Sequence, residues 1–78
     1  MRFNLPVHVP FEEILIFTQN LSTMIKAGVS LGEALPALTQ NTEHRTLKRI
    51  LTEVVARVEK GDTLAESLAP YPKIFPAL

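Results

Sequence analysis

The sequence contains no cysteine, no excess of charge of either sign and no long apolar run. The absence of cysteine excludes a disulfide framework and a zinc–thiolate site. Eight basic and eight acidic residues cancel, so the clustered basic excess that binds nucleic acid or an acidic membrane surface is missing. The longest purely apolar run, from Ile14 to Phe17, is far short of the roughly 18 residues of a transmembrane helix.

What remains has the composition of one small globular domain. Hydrophobic residues make up 46% and charged residues 21%, which argues against a disordered or fibrous chain. A single core built from 78 residues is marginally stable, so each buried side chain matters.

One short pattern occurs twice. Gly28 to Leu35 and Gly61 to Leu68 share, in the same order, a glycine, a hydroxyl residue, a leucine, a glutamate, a small residue and a second leucine. In each copy the glycine predicts the end of one helix, and the hydroxyl and glutamate predict a reciprocal capping box on the next. The corner and capping residues are Gly28, Ser30, Glu33, Gly61, Thr63 and Glu66.

Apolar residues recur at spacings of three and four along most of the chain, which is typical of amphipathic helices. The predicted helices cover about 11–27, 31–41, 43–60 and 64–69. The predicted core residues are Ile14, Phe17, Leu21, Met24, Leu31, Leu35, Leu38, Leu47, Ile50, Leu51, Val54, Val58, Leu64 and Leu68. The predicted fold is all-α, an antiparallel bundle of about four helices in two hairpins.

Three segments depart from this regular pattern. Residues 1–10 contain two closely spaced prolines and predict an extended N-terminal arm. Pro36 lies inside the second predicted helix, where we expect a kink. Asn41 or Thr42 is the expected cap of the third helix, with Glu43 in its first turn.

The last residues, 71–78, are irregular but strongly apolar. Ile74, Phe75 and Leu78 need a surface to bury against, and nothing after them supplies one. The apolar tail therefore looks unfinished.

No group of residues predicts catalysis or metal binding. His8 and His44 have neither a neighbouring serine–carboxylate arrangement nor the spacing of metal ligands. Glu12 and Glu13 are adjacent and point away from each other on a helix, which favours stabilisation of the helix dipole over acid–base catalysis. We expect no enzymatic activity, no cofactor and no metal.

Three side chains are candidates for a partner surface: Ile16, Arg45 and Arg49. Ile16 falls among the polar residues of helix one, so it is either an isolated exposed apolar residue or part of a second interface. The two arginines stand with Lys48 on the N-terminal half of helix three, as in a DNA-recognition helix. The zero net charge argues against that use.

The chain resembles the protein F domain of type II secretion systems, which is shared with the inner-membrane platform proteins of type IV pilus assembly. The resemblance covers roughly residues 11–76 and depends on an ordered set of residues at fixed spacing. That set is Phe17, Gly28, Leu31, Glu33, Gly61, Leu64, Leu68 and Phe75-Pro76. The resemblance implies a six-helix antiparallel bundle, of which this chain would be an N-terminal fragment. Because two of those helices would be missing, we expect the chain to cover its open core by forming a homodimer, with helix four or the tail as a candidate element for exchange.

The same resemblance implies a non-enzymatic scaffold on the cytoplasmic face of the bacterial inner membrane, where it couples an assembly ATPase to pilus or pseudopilus assembly. The implied partners are that ATPase, other inner-membrane assembly components, and pilin or pseudopilin. Nucleic acid is not among them, and the membrane would be reached only through transmembrane segments outside this chain. Two alternatives stand beside it: a stand-alone helical adaptor that binds a partner helix, and a small helix-turn-helix DNA-binding protein.

Overall fold

A computed structural model describes residues 8–75 of the chain. The described part contains four helices and no strand, so the predicted all-α class is confirmed. The helices are α1 (Phe11–Lys26), α2 (Leu31–Asn41), α3 (Arg45–Glu59) and α4 (Leu64–Leu68). Each helix packs against the next one along the chain, and α2 lies between α1 and α3.

Helices α2 and α3 run antiparallel. Pro36, in the middle of α2, lies beside Val58 near the end of α3. At the opposite end of the same pair, the Lys48 ammonium group of α3 donates to the Gln40 carbonyl of α2 at 3.5 Å. Helix α2 continues without a break through Pro36, although this residue has no N–H to donate to the carbonyl one turn earlier.

The helices enclose one apolar core. Its buried helical members are Phe17, Leu35, Leu47, Ile50, Leu51, Val54 and Leu68. Half-buried side chains pack around them, namely Ile14, Leu21, Leu31, Leu38, Val55, Val58 and Leu64. Met24, which we predicted to belong to the core, is half-buried and lies outside this cluster. It sits in the last turn of α1, at the edge of the bundle beside the corner.

Two segments outside the helices complete the core, which the sequence did not predict. Val9, from the predicted arm, is 7% exposed, and Ile74 and Phe75 of the tail are 4% and 5% exposed. The expectation that Ile74 and Phe75 need a surface from outside the chain is therefore wrong. The expectations for residues 1–7 and 76–78 lie outside the described residues.

The tail reaches the core because it forms a compact turn after α4. The Tyr71 N–H donates to the Leu68 carbonyl at 2.9 Å. The N–H groups of Ile74 and Phe75 both donate to the Tyr71 carbonyl, at 3.1 and 3.0 Å. This turn directs both apolar side chains inward.

Helix α3 begins later than predicted and has a different cap. Its N-cap is His44, whose Nδ1 accepts a hydrogen bond from the Leu47 N–H at 3.3 Å. Asn41 and Thr42 end α2 instead, so neither can cap α3, and Glu43 precedes the cap rather than lying in the first turn. The prediction failed because α2 uses the residues that we had assigned to the start of α3.

Candidate functional site

The first helix corner, between α1 and α2, has the backbone of a Schellman motif. Gly28 has a φ of 94°, a conformation that glycine adopts without a Cβ penalty. Its N–H donates to the Ile25 carbonyl, and the Val29 N–H donates to the Met24 carbonyl, both at 3.0 Å. Through these bonds, carbonyl groups at the end of α1 accept hydrogen bonds that the helix itself cannot supply.

The second corner, between α3 and α4, repeats this backbone. Gly61 has a φ of 112°, and its N–H donates to the Val58 carbonyl at 3.0 Å. The Asp62 N–H donates to the Arg57 carbonyl, also at 3.0 Å. The side chains of these two residues, Arg57 and Asp62, also form an ion pair, with Arg57 Nε 2.9 Å from Asp62 Oδ2. The equivalent residues at the first corner, Met24 and Val29, are both apolar.

The two corners differ in how they cap the following helix. At α4 the capping box is complete: Glu66 N–H donates to Thr63 Oγ1 at 3.1 Å, and Thr63 N–H donates to Glu66 Oε1 at 2.8 Å. At α2 the Glu33 N–H donates to Ser30 Oγ at 3.2 Å, but the glutamate accepts from the Ser30 hydroxyl, not from its amide. The predicted reciprocal box is therefore wrong for α2 in this one bond.

The polar groups of these corner residues bond to the backbone or to one another within the same corner. Their chemistry ends one helix and starts the next, so they position the helices and do not themselves form a binding site. The surfaces that remain for a partner lie on the helix faces.

One such surface is a cleft between α1 and the C-terminal end of α2, with a volume of about 270 Å³. Its apolar lining includes Phe17 and Leu47, which are buried, and Leu38, which is half-buried. Ile16 also lines it and is 55% exposed. The candidate partner residue Ile16 is therefore part of a cleft, not an isolated apolar side chain on a polar face.

The two candidate arginines do not line this cleft. Arg49 lines a different cleft of about 320 Å³, between α3 and the tail, together with Glu53 and Tyr71. Arg45 is exposed in the first turn of α3. Within the described part of the chain, the three residues that we grouped as candidates belong to separate surfaces.

Sequence reasoning missed an exposed apolar face of α1. Phe11 is 73% exposed, Leu15 is 40% exposed and Ile25 is 43% exposed. Their spacing along α1 places them on one face of the helix, next to the face that carries the core residue Phe17. The signal was present in the sequence, because Phe11, Leu15 and Ile25 recur at spacings that return to the same side of a helix.

Residues 17–78 match the model of the family described as Type II secretion system (T2SS), protein F. The chain belongs to the type II secretion system protein F family. The match includes both Schellman corners and Phe75, so the repeated pattern in the sequence lies within the family domain. The resemblance on which we based our expectation is confirmed.

The relatives of this protein F family chain are named for two kinds of machine, type IV pilus assembly and type II secretion. The type IV pilus assembly protein PilC of Myxococcus xanthus is 36% identical over 67 residues, which are 86% of this chain and 16% of the relative. The type II secretion system protein F of Vibrio cholerae is 33% identical over 66 residues, 85% of this chain and 16% of the relative. A PilC protein of Thermus thermophilus is 39% identical over 67 residues, with shares of 86% and 16%.

The chain thus spans about one sixth of the length of these relatives. None of the helices described for this protein F family chain is long and apolar enough to span a bilayer.

Proposed function

We propose that this chain is a non-enzymatic scaffold domain of an inner-membrane platform protein, which couples an assembly ATPase to pilus or pseudopilus assembly. The observation that carries the proposal is the family membership, since its relatives are named for type IV pilus assembly and for type II secretion. The domain is proposed to lie on the cytoplasmic face of the bacterial inner membrane. Segments outside this chain are proposed to make the membrane contact.

A scaffold works by holding its surfaces in fixed relative positions. The two Schellman corners fix each helical hairpin through backbone hydrogen bonds at glycines 28 and 61. The contact between Phe17 and Phe75 ties the tail to α1. These contacts support a mechanical role, in which partners bind to helix faces that the fold holds at a fixed separation.

The proposed partners are the assembly ATPase, other inner-membrane assembly components, and pilin or pseudopilin. We also propose that the chain is part of a homo-oligomer. The exposed apolar side chains of Phe11, Leu15 and Ile25 on one side of α1 support this proposal, because exposed apolar surface gathered on one face marks interaction sites. Since Ile74 and Phe75 are already buried within the chain, such an oligomer needs no exchange of the tail.

Calorimetric titration of the chain with the purified assembly ATPase of the same bacterium tests the proposed coupling. We expect saturable binding that is weakened when Arg45 or Arg49 is replaced by alanine. Lys73→Ala is the matched control, because Lys73 is exposed but lies in the tail. Absence of saturable heat, with a chain whose circular dichroism spectrum is helical, would contradict the coupling to the ATPase.

A further inference from the structure

The cleft between α1 and the end of α2 combines an apolar lining with two carboxylates. Phe17 and Leu47 contribute buried apolar surface to it. Glu13 reaches the cleft from α1, and Glu43 reaches it from the connection between α2 and α3. Two acidic side chains from segments far apart in the sequence therefore face the same apolar surface.

Neither carboxylate has a cationic partner within residues 8–75. The ion pair found in that part of the chain joins Arg57 to Asp62, at the second corner. Among the described residues no lysine or arginine lines the cleft, and the Lys48 ammonium group is directed at the Gln40 carbonyl. The cleft thus presents negative charge that the described chain does not neutralise, and it complements a cation.

We propose that this cleft receives an arginine side chain of a protein partner. Its volume of about 270 Å³ is slightly below the range of roughly 300–1,000 Å³ that holds drug-sized molecules, so it fits a long side chain better than a larger ligand. An arginine lays its methylene groups on apolar surface while its guanidinium stays at a polar edge. Arginine is also among the residues that most often anchor protein interfaces.

The polar groups of the cleft favour arginine over lysine. The guanidinium has five N–H donors in a planar fork that matches carboxylates, whereas an ammonium group is a compact point charge. Asn20 and Asn41 also line the cleft, and their amide oxygens offer further acceptors. The inference rests on the proposed scaffold function for one point, which is that the arginine belongs to an assembly component.

Nuclear magnetic resonance titration of the isotopically labelled chain tests the inference directly. The probe is the peptide acetyl-Ala-Leu-Arg-Leu-Ala-amide, compared with the same peptide carrying citrulline, a neutral analogue of arginine. We expect saturable shifts of the backbone amides of Ile16, Phe17 and Leu47. The citrulline peptide is expected to bind about tenfold more weakly, because charge-assisted hydrogen bonds are roughly twice as strong as neutral ones. A lysine peptide is expected to fall between the two.

Variants that neutralise one carboxylate of the cleft at a time provide the second part of this test. Glu13→Gln and Glu43→Gln are each expected to weaken binding of the arginine peptide several-fold. Glu12→Gln is the matched control, because Glu12 is the neighbour of Glu13 in the first turn of α1 but does not line the cleft. Glu12→Gln removes one negative charge from the first turn of α1, as Glu13→Gln does. A general loss of α1 stability would therefore affect these two variants equally.

Four outcomes would overturn the inference. They are equal binding of the citrulline peptide, unchanged binding by both cleft variants, no saturable shift at millimolar peptide, and the same amide shifts on concentrating the chain without peptide. The last would mean that a second copy fills the cleft. None of these outcomes bears on ATPase binding, which is measured separately, so failure here differs from failure of the proposed scaffold function.

Discussion

The ring of Phe75 packs edge-on against the ring of Phe17, with centroids 6.3 Å apart and ring planes inclined by 61°. This is a favourable geometry for two aromatic rings. It joins the tail of the described chain to its first helix, and both side chains are buried. The contact closes the end of the core that the sequence alone left open.

Removing this contact is expected to destabilise the fold strongly. Phe75→Ala should lower the free energy of unfolding by about 3–5 kcal/mol, the usual cost of deleting a buried phenylalanine ring. Phe11→Ala is the control, because Phe11 is 73% exposed and removing its ring should change the free energy of unfolding only slightly. Urea denaturation followed by circular dichroism measures both. Equal midpoints for the two variants would show that the tail does not contribute to the core.

The core face of α3 gives a second prediction. Leu51 and Val54 are completely buried. Leu51→Ala should therefore lower the free energy of unfolding by about 2–5 kcal/mol, and Val54→Ala by somewhat less. Such a loss approaches the total stability of a small domain, which is about 5–15 kcal/mol. Thr52→Ala is the control, since Thr52 is exposed on the same helix. If the Leu51→Ala midpoint matched that of Thr52→Ala, the assigned core face would be wrong.

Two glycine substitutions are expected to have opposite signs. Gly61→Ala places a Cβ on a residue with a φ of 112° and should destabilise the chain by about 1–3 kcal/mol. Gly32 lies inside α2, and an added Cβ there meets no described atom within 4 Å apart from its chain neighbours and the surrounding helix backbone. Gly32→Ala should therefore stabilise the chain by about 0.5–1 kcal/mol. Thermal unfolding of both variants tests the pair, and a shift of the same sign in both would refute it.

Self-association is the fourth prediction. We expect the chain to form a homodimer at high concentration through the apolar face of α1, and Leu15→Glu to shift it towards monomer by burying a charge in the interface. Thr23→Glu introduces the same charge at an exposed position of α1 away from this face. Light scattering coupled to size-exclusion chromatography measures the mass. A stable monomer of the unmodified chain at high concentration would contradict the prediction.

Much of the fold could be predicted because its signals are local. The apolar spacing of α3 is carried by consecutive turns of one helix, and each corner glycine lies three residues after the residue whose carbonyl accepts its N–H. Capping was less regular. His44 caps α3 through a ring nitrogen, although histidine is not among the residues that usually occupy this position.

The remaining features depend on contacts between distant segments. Val9 and Phe75 lie outside the helices, so no periodic pattern shows that they pack into the core. Glu13 and Glu43 meet at one cleft only because α1 lies against the end of α2. Nothing in the residues around either glutamate indicates that arrangement, whereas the exposed position of Ile16 was visible from its polar neighbours on α1.

An in-frame deletion in the source bacterium tests the proposed role of this domain in pilus or pseudopilus assembly. Residues 11–75 are removed from the chromosomal gene, and surface filaments and secreted proteins are quantified. We expect that one of the two outputs is lost while pilin and ATPase levels stay unchanged, and that the intact gene restores it. Filaments and secretion at unmodified levels in the deletion strain would show that the domain has no such role.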